Sequence, residues 1–155
     1  MVEALQVYWI RLGRLRCPVG MMLFRAEQFD LVADVAARSG AELADFRDAA
    51  RAAMPAGSRY VDFRADTMFA SIRRAHDASQ SRRLIVRNLD LGLARLKVAD
   101  RRRFWDAIVN NFPPNTNTAV VFVMPDEKTG MHLLPSSETT RMWSESNRIF
   151  RLESA

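Results

Sequence analysis

Arg83-Leu84-Ile85-Val86-Arg87-Asn88-Leu89-Asp90 is the stretch on which the fold turns. Its apolar run stops abruptly at polar residues, with a helix-like segment and a second apolar run behind it. That pattern predicts a buried parallel strand over 84–90 whose carboxyl end, at Asn88 and Asp90, opens onto a cleft. In α/β folds that edge is where ligands bind.

Working outward, the most strand-like run of the chain is Thr118-Ala119-Val120-Val121-Phe122-Val123-Met124, which ends at Pro125-Asp126-Glu127. Val19-Gly20-Met21-Met22-Leu23-Phe24 predicts the first core strand, Ser58–Phe63 alternates as a further strand, and Arg148–Leu152 predicts the last. Helical spacing covers residues 2–15, an amphipathic N-terminal helix carrying Leu5, Tyr8, Trp9, Leu12 and Leu15, which Cys17-Pro18 ends. Further helices are expected from Glu27 to Arg38, stopping at Ser39-Gly40, and over the alanine-rich residues 41–54. Another opens at Ala65 or Asp66 and runs through His76. Asp100 is expected to cap a helix containing Phe104, Trp105, Ile108 and Phe112, closed by Pro113-Pro114-Asn115, and Ser136 or Ser137 to cap the last one. Five strands alternating with helices imply an α/β three-layer sandwich with a mainly parallel five-stranded sheet, because parallel strands need crossovers and these cover both faces. With 155 residues, 48% of them hydrophobic, and no repeat or linker, residues 1–155 are read as a single α/β domain.

Composition narrows the function classes. One cysteine, Cys17, leaves no intrachain disulfide, no apolar run approaches a membrane span, and Glu3, Arg11 and Arg14 interrupt any signal-peptide core. A cytoplasmic protein without membrane contact is the expectation. The net charge is +5, and all but Lys97 and Lys128 of the 23 basic residues are arginine. Such a charge attracts acidic protein surfaces and nucleic acid alike.

The Walker B strand of P-loop NTPases resembles residues 84–90: four apolar residues precede a carboxylate that handles magnesium, here Asp90, with Asn88 two places before it. Residues 19–152 look like a reduced ATPase core of the ASCE P-loop type, with Asp126 where sensor residues lie. They are also similar to the short P-loop-type proteins of BREX phage-defence loci, in size and in the leucine-rich segment after that strand. The resemblance implies a P-loop NTPase-like fold.

The phosphate loop decides what activity to expect. A Walker A motif needs a glycine-rich turn whose N–H groups wrap phosphates, then a lysine and a hydroxyl. Here Met22-Leu23-Phe24 runs into Arg25-Ala26-Glu27-Gln28-Phe29-Asp30, with no glycine and no lysine, and with Glu27 and Asp30 at a helix start where phosphate would otherwise be welcome. No nucleotide cofactor is therefore expected and catalysis is not favoured. The expectation is a non-catalytic binding or regulatory subunit of a larger nucleic-acid-processing or phage-defence assembly, with a protein partner or a homo-oligomer.

Two other classes remain. A direct nucleic-acid-binding protein would use Arg101, Arg102 and Arg103, beside Phe104 and Trp105, together with Arg73, Arg74, Arg82 and Arg83. A solvated surface is the bland alternative for these arginines, and core packing for the two aromatics. A magnesium-dependent nuclease or phosphotransfer enzyme would use Asp90 and Asp126 as metal ligands facing each other across the cleft. Capping of the following turn explains Asn88 and Asp90 more simply, since one carboxylate without a phosphate loop makes no phosphoryl-transfer site. His76 and His132 show no metal-ligand spacing with Cys17, and no G-x-S-x-G nucleophile motif occurs.

Overall fold

Ala119–Pro125 forms the middle strand of the sheet, and six of its seven residues are buried because layers of helix cover both of its faces. The computed structural model describes residues 1–11, 18–112, 118–128 and 130–151. Its strands are β1 (Val19–Phe24), β2 (Glu42–Asp45), β3 (Arg83–Arg87), β4 (Ala119–Pro125) and β5 (Ile149–Arg151). The α-helices are α1 (Val2–Ile10), α2 (Leu31–Ser39), α3 (Phe46–Ala52), α4 (Ala65–Ala78), α5 (Leu89–Leu93), α6 (Val98–Asn111) and α7 (Ser137–Glu145), with 3₁₀ turns at Ala26–Gln28 and Met131–Leu133. The strands lie in the order β2-β3-β4-β1-β5, and every pairing is parallel.

Alternation along the central strands divides the core in two. Met21, Leu23, Leu84, Val86, Val120 and Phe122 point to one face and pack with Phe46, Met68, Ile72, Phe104, Ile108 and Trp143 from the helices between β2 and β5. Met22, Phe24, Ile85, Val121 and Val123 point to the other, under Leu5, Tyr8 and Trp9 of α1 and Val32, Val35 and Ala36 of α2. This is the expected three-layer α/β arrangement, with Phe104, Trp105 and Trp143 in the core. The crossover through α2 carries the chain from β1 over one face, and the later crossovers return over the other. The connections leaving the neighbouring strands β1 and β4 therefore run to opposite faces, and the crevice for ligands in such sheets lies between those two strands, outside their carboxyl ends.

One strand is not where its pattern placed it. Residues 58–63 form a loop with Ser58, Arg59 and Tyr60 exposed, while Val61 and Phe63 lean on the core. Their alternation reports one-sided burial, which a loop lying over a helix pair produces as well as a strand does. The missing strand is β2, inside the stretch expected to be helical over 41–54. Gly40 at φ 67° closes α2, with its N–H on Ala36 O and Ala37 O. Leu43 and Ala44 then pair with Ile85 and Val86, and Asp45 caps α3 by accepting from Arg47 N–H at 2.9 Å.

Smaller differences have equally local causes. β3 ends at Arg87, because Asn88 takes a left-handed conformation at φ 63° and turns the chain into α5. Asp90 is thus in a short helix and not in the strand. The helix expected from Glu27 divides into a 3₁₀ turn and α2, and α6 starts behind Lys97, so Asp100 lies inside its first turn and is not its cap. α1 covers Val2–Ile10 of the expected 2–15; Leu12, Arg14, Leu15 and Cys17, like Pro113-Pro114-Asn115, Thr129 and Leu152, lie outside the described residues.

Candidate functional site: the carboxyl edge of the sheet

The turn after β1 (residues 25–30) is closed by hydrogen bonds of its own. Arg25 N–H donates to the side-chain Oε1 of Gln28 at 2.9 Å. Gln28 N–H donates to Arg25 O at 2.9 Å, and Phe29 N–H to Ala26 O at 3.3 Å. Gln28 is buried, and the Phe29 ring packs edge-on against Phe24 at 5.6 Å between centroids. These N–H groups are engaged, and an N–H already committed to a protein acceptor cannot also wrap a phosphate.

Next to this turn, at the ends of β2 and β3, a single carboxylate collects four donors or charges. Arg47 grips Asp45 in a fork, Nη2 to Oδ2 at 2.8 Å and Nε to Oδ1 at 3.1 Å. Asn88 Nδ2 donates to Oδ2 at 2.7 Å, and Arg47 N–H donates to Oδ1. Arg87 Nε stands 3.3 Å from Oδ2 without hydrogen-bond alignment, so it contributes as a charge, and its guanidinium lies 6.0 Å over the Phe29 ring. The Asp45 side chain is 7% exposed. The Arg47 fork, helped by the Arg47 and Asn88 amide groups, outweighs burial and holds the Asp45 carboxyl down at about 2. A carboxylate satisfied this fully joins β2, β3 and α3, and its oxygens leave little for a ligand.

The two carboxylates proposed as metal ligands are engaged separately. Asp90 is half-buried in α5, and burial raises its carboxyl above the usual range, against the pull of its own and the Leu91 N–H. Asp126 follows β4, donates its N–H to Phe24 O at 2.6 Å and pairs through Oδ2 with Arg151 Nη1. No group of three or more His, Cys, Asp or Glu side chains that could hold a metal ion occurs among the described residues. His76 is buried on Phe112 with Nδ1 2.9 Å from Asp77 Oδ1, a core histidine.

The open part of the edge is at its other end. A groove of about 790 Å³ lies where β1, β4 and β5 finish, walled by the start of α1 and by α7, with Leu134, Ile149 and Arg151 among its lining. Such a volume falls in the range of ligand sites.

The arginines expected to contact nucleic acid are distributed over several elements. Arg101 Nη1 donates to Leu96 O at 2.7 Å, Arg103 lies 3.7 Å from Asp100, and Arg102 is exposed. Arg74 Nη1 donates to Ala52 O at 2.8 Å, bracing α3 against α4, and Arg73 is 3.9 Å from Asp77. Arg83 Nη1 donates to Ser39 O at the end of α2. Arg82 and Arg83 enter β3 at the amino edge, whereas Arg101–Arg103 begin the helix that leaves the carboxyl edge, so the structure does not gather them. Arg87 and Asn88 at the end of β3 hint at the Asp45 cluster in the sequence, but Asp45 itself does not, because β2 lay hidden in an apparent helix.

No protein-family model matches the chain, and no curated protein matches its sequence. No helix among the described residues is long and apolar enough to cross a membrane.

Proposed function

We propose that this protein acts by binding, as a non-catalytic P-loop-like subunit of a larger assembly working on nucleic acid, of the kind found in phage defence. The observation that carries the reading is the turn after β1, whose Arg25, Gln28 and Phe29 N–H groups are spent on Gln28 Oε1, Arg25 O and Ala26 O. The parallel order β2-β3-β4-β1-β5 supports it, since the strand after the Asp90 segment lies between that segment and β1 in an ATPase-like sheet. A sheet of that order without a usable phosphate loop keeps the scaffold and loses the reaction. Equilibrium dialysis with magnesium and ATP tests it: no retention is expected at about 100 μM nucleotide, and saturable retention with phosphate release would sink it.

A direct nucleic-acid-binding role is the second reading, favoured by Arg102 and Arg103, which project into solvent on a chain of net charge +5. Binding of that kind weakens steeply with salt. A gel shift at low salt that disappears in R102E/R103E would promote it, and none at low salt would remove it.

A further inference from the structure

β5 is the last strand of the sheet and, among the described residues, pairs only with β1. One contact sets the direction of its hydrogen-bonding groups: Arg148 O accepts from Met21 N–H at 2.8 Å. In an extended strand the N–H and C=O of one residue point to one side, and those of the next residue to the other. The groups of Phe150 therefore face β1, and those of Ile149 and Arg151 face outward. Their two N–H and two C=O groups have the spacing that a further strand requires.

The surroundings of this edge select what can occupy it. Ile149, Phe150 and Arg151 line the groove at the carboxyl ends of the strands, with Met1 and Ala4 of α1 on one wall and Thr140 and Arg141 of α7 on the other. Flanked by a helix on each wall, the short strand Ile149–Arg151 suits a single extended chain, which would pair with it at a spacing of about 4.8 Å. Leu134 and Ile149 offer it an apolar seat, while Arg141 and Arg151 stand on the rim with side chains 71% and 62% exposed. Glu145 lies 3.9 Å from Arg141 and Asp126 pairs with Arg151. A guanidinium has five N–H donors, so both arginines keep donors for an incoming carboxylate.

We propose that the free edge of β5 accepts an extended, acidic segment of a partner protein as an added strand. Its backbone bonds to Ile149 and Arg151, an apolar side chain enters the Leu134–Ile149 seat, and acidic side chains face Arg141 and Arg151. Main-chain bonds supply affinity in this mode and side-chain seats supply specificity. The proposal rests on the reading of the chain as a binding subunit and names the class of its partner.

The test is fluorescence anisotropy with a labelled, end-capped peptide of roughly nine residues alternating Glu and Val, a length that spans a strand. Controls are a Lys–Val peptide and two Glu–Val peptides N-methylated at alternate nitrogens in the two registers. Ile149→Pro removes an outward N–H and leaves the β1–β5 bonds intact; Ile149→Ala matches its loss of side chain and keeps the N–H. Circular dichroism melts establish that both variants fold, and the methylated peptides give the same information without altering the protein. The Glu–Val peptide should bind about tenfold more tightly than the Lys–Val peptide and than at least one methylated register, the effect of losing one or two bonds. Ile149→Pro should bind about fivefold more weakly than Ile149→Ala. No binding at about 1 mM peptide, equal binding of the Glu–Val and Lys–Val peptides, or equal binding of all registers would overturn the proposal. A dimer in sedimentation equilibrium that Ile149→Pro dissolves would assign the edge to a second copy instead and also overturn it. Retention of ATP would remove the functional reading and leave the peptide result standing, so the two failures are distinguishable.

Discussion

At the β2–β3 end of the carboxyl edge, Asp45 holds Arg47, Arg87 and Asn88 within 3.3 Å of its oxygens; at the β1–β5 end, Ile149 and Arg151 turn their backbone groups away from β1, and both residues line an open groove. The first region resembles a binding site by composition, with two arginines, an amide and a carboxylate beside an aromatic ring. Its geometry is that of a clamp, because the Asp45 carboxylate is satisfied from within the chain by Arg47 and Asn88. The second region also carries charged pairs, Arg141 with Glu145 and Arg151 with Asp126, and in addition has unspent backbone hydrogen-bonding capacity. Charge density alone therefore does not separate the two ends of the edge, and counting which polar groups are already committed does.

Removing Asp45 should break this contrast most forcefully. Asp45→Ala removes the cap of α3 and leaves the buried Asn88 amide without its acceptor, and should cost about 2–3 kcal/mol in urea denaturation. Arg141→Ala on the groove rim should cost less than about 0.5 kcal/mol. Equal costs at the two sites would abolish the distinction between clamp and open edge.

Next in size is Gly92, on which a Cβ would come within 2.5 Å of Phe46 and 2.7 Å of Met68. Gly92→Ala should cost about 1–3 kcal/mol, since α5 would be pushed off α3 and α4. A neutral result in thermal melts would show that this packing yields.

Acidity sharpens the same comparison. The Asp45 carboxyl is held at about 2 in the folded chain, against 3.8 for a free aspartate. Depression of a folded-state pKa adds stability that is complete above the unfolded value and is lost as pH falls toward the folded one. Urea melts should therefore show stability draining between about pH 4 and pH 2, and Asp45→Asn should flatten that part of the profile. A profile unchanged by the substitution would mean that the clamp does not rest on charge.

Asp90 should give the smallest effect, with the opposite sign. Burial raises its carboxyl, so the charged form is disfavoured in the folded chain and its contribution improves as pH falls. Asp90→Asn should be neutral or stabilising by less than about 1 kcal/mol at pH 7. A magnesium-dependent rise in Tm that Asp90→Asn abolishes would restore the metal reading.

The three central strands were legible because burial on both faces writes continuous apolar runs, as in Leu84-Ile85-Val86 and Ala119–Met124. β2 was not, since Glu42-Leu43-Ala44-Asp45 is short, half-exposed and set in an alanine-rich stretch. Pairing with β3 and the Asp45 cap override its helical propensity there. The closed turn after β1 was partly legible, as a missing glycine and lysine. The Asp45 clamp was not, because Asn88 lies 43 residues away and meets Asp45 only once β2 and β3 align. Nor was the groove, which needs α1, α7 and β5 together.

Amide-resolved hydrogen exchange by NMR, with and without magnesium and ATP, tests the central claim most directly: the turn after β1 is closed and the β5 edge is open. The account predicts slowed exchange at Arg25, Gln28, Phe29 and Phe150, whose N–H groups are bonded within the chain, and fast exchange at Ile149 and Arg151, with no change when nucleotide is added. Fast exchange in the turn that slows on adding ATP, or protection at Ile149 and Arg151 equal to that of Phe150, would contradict it.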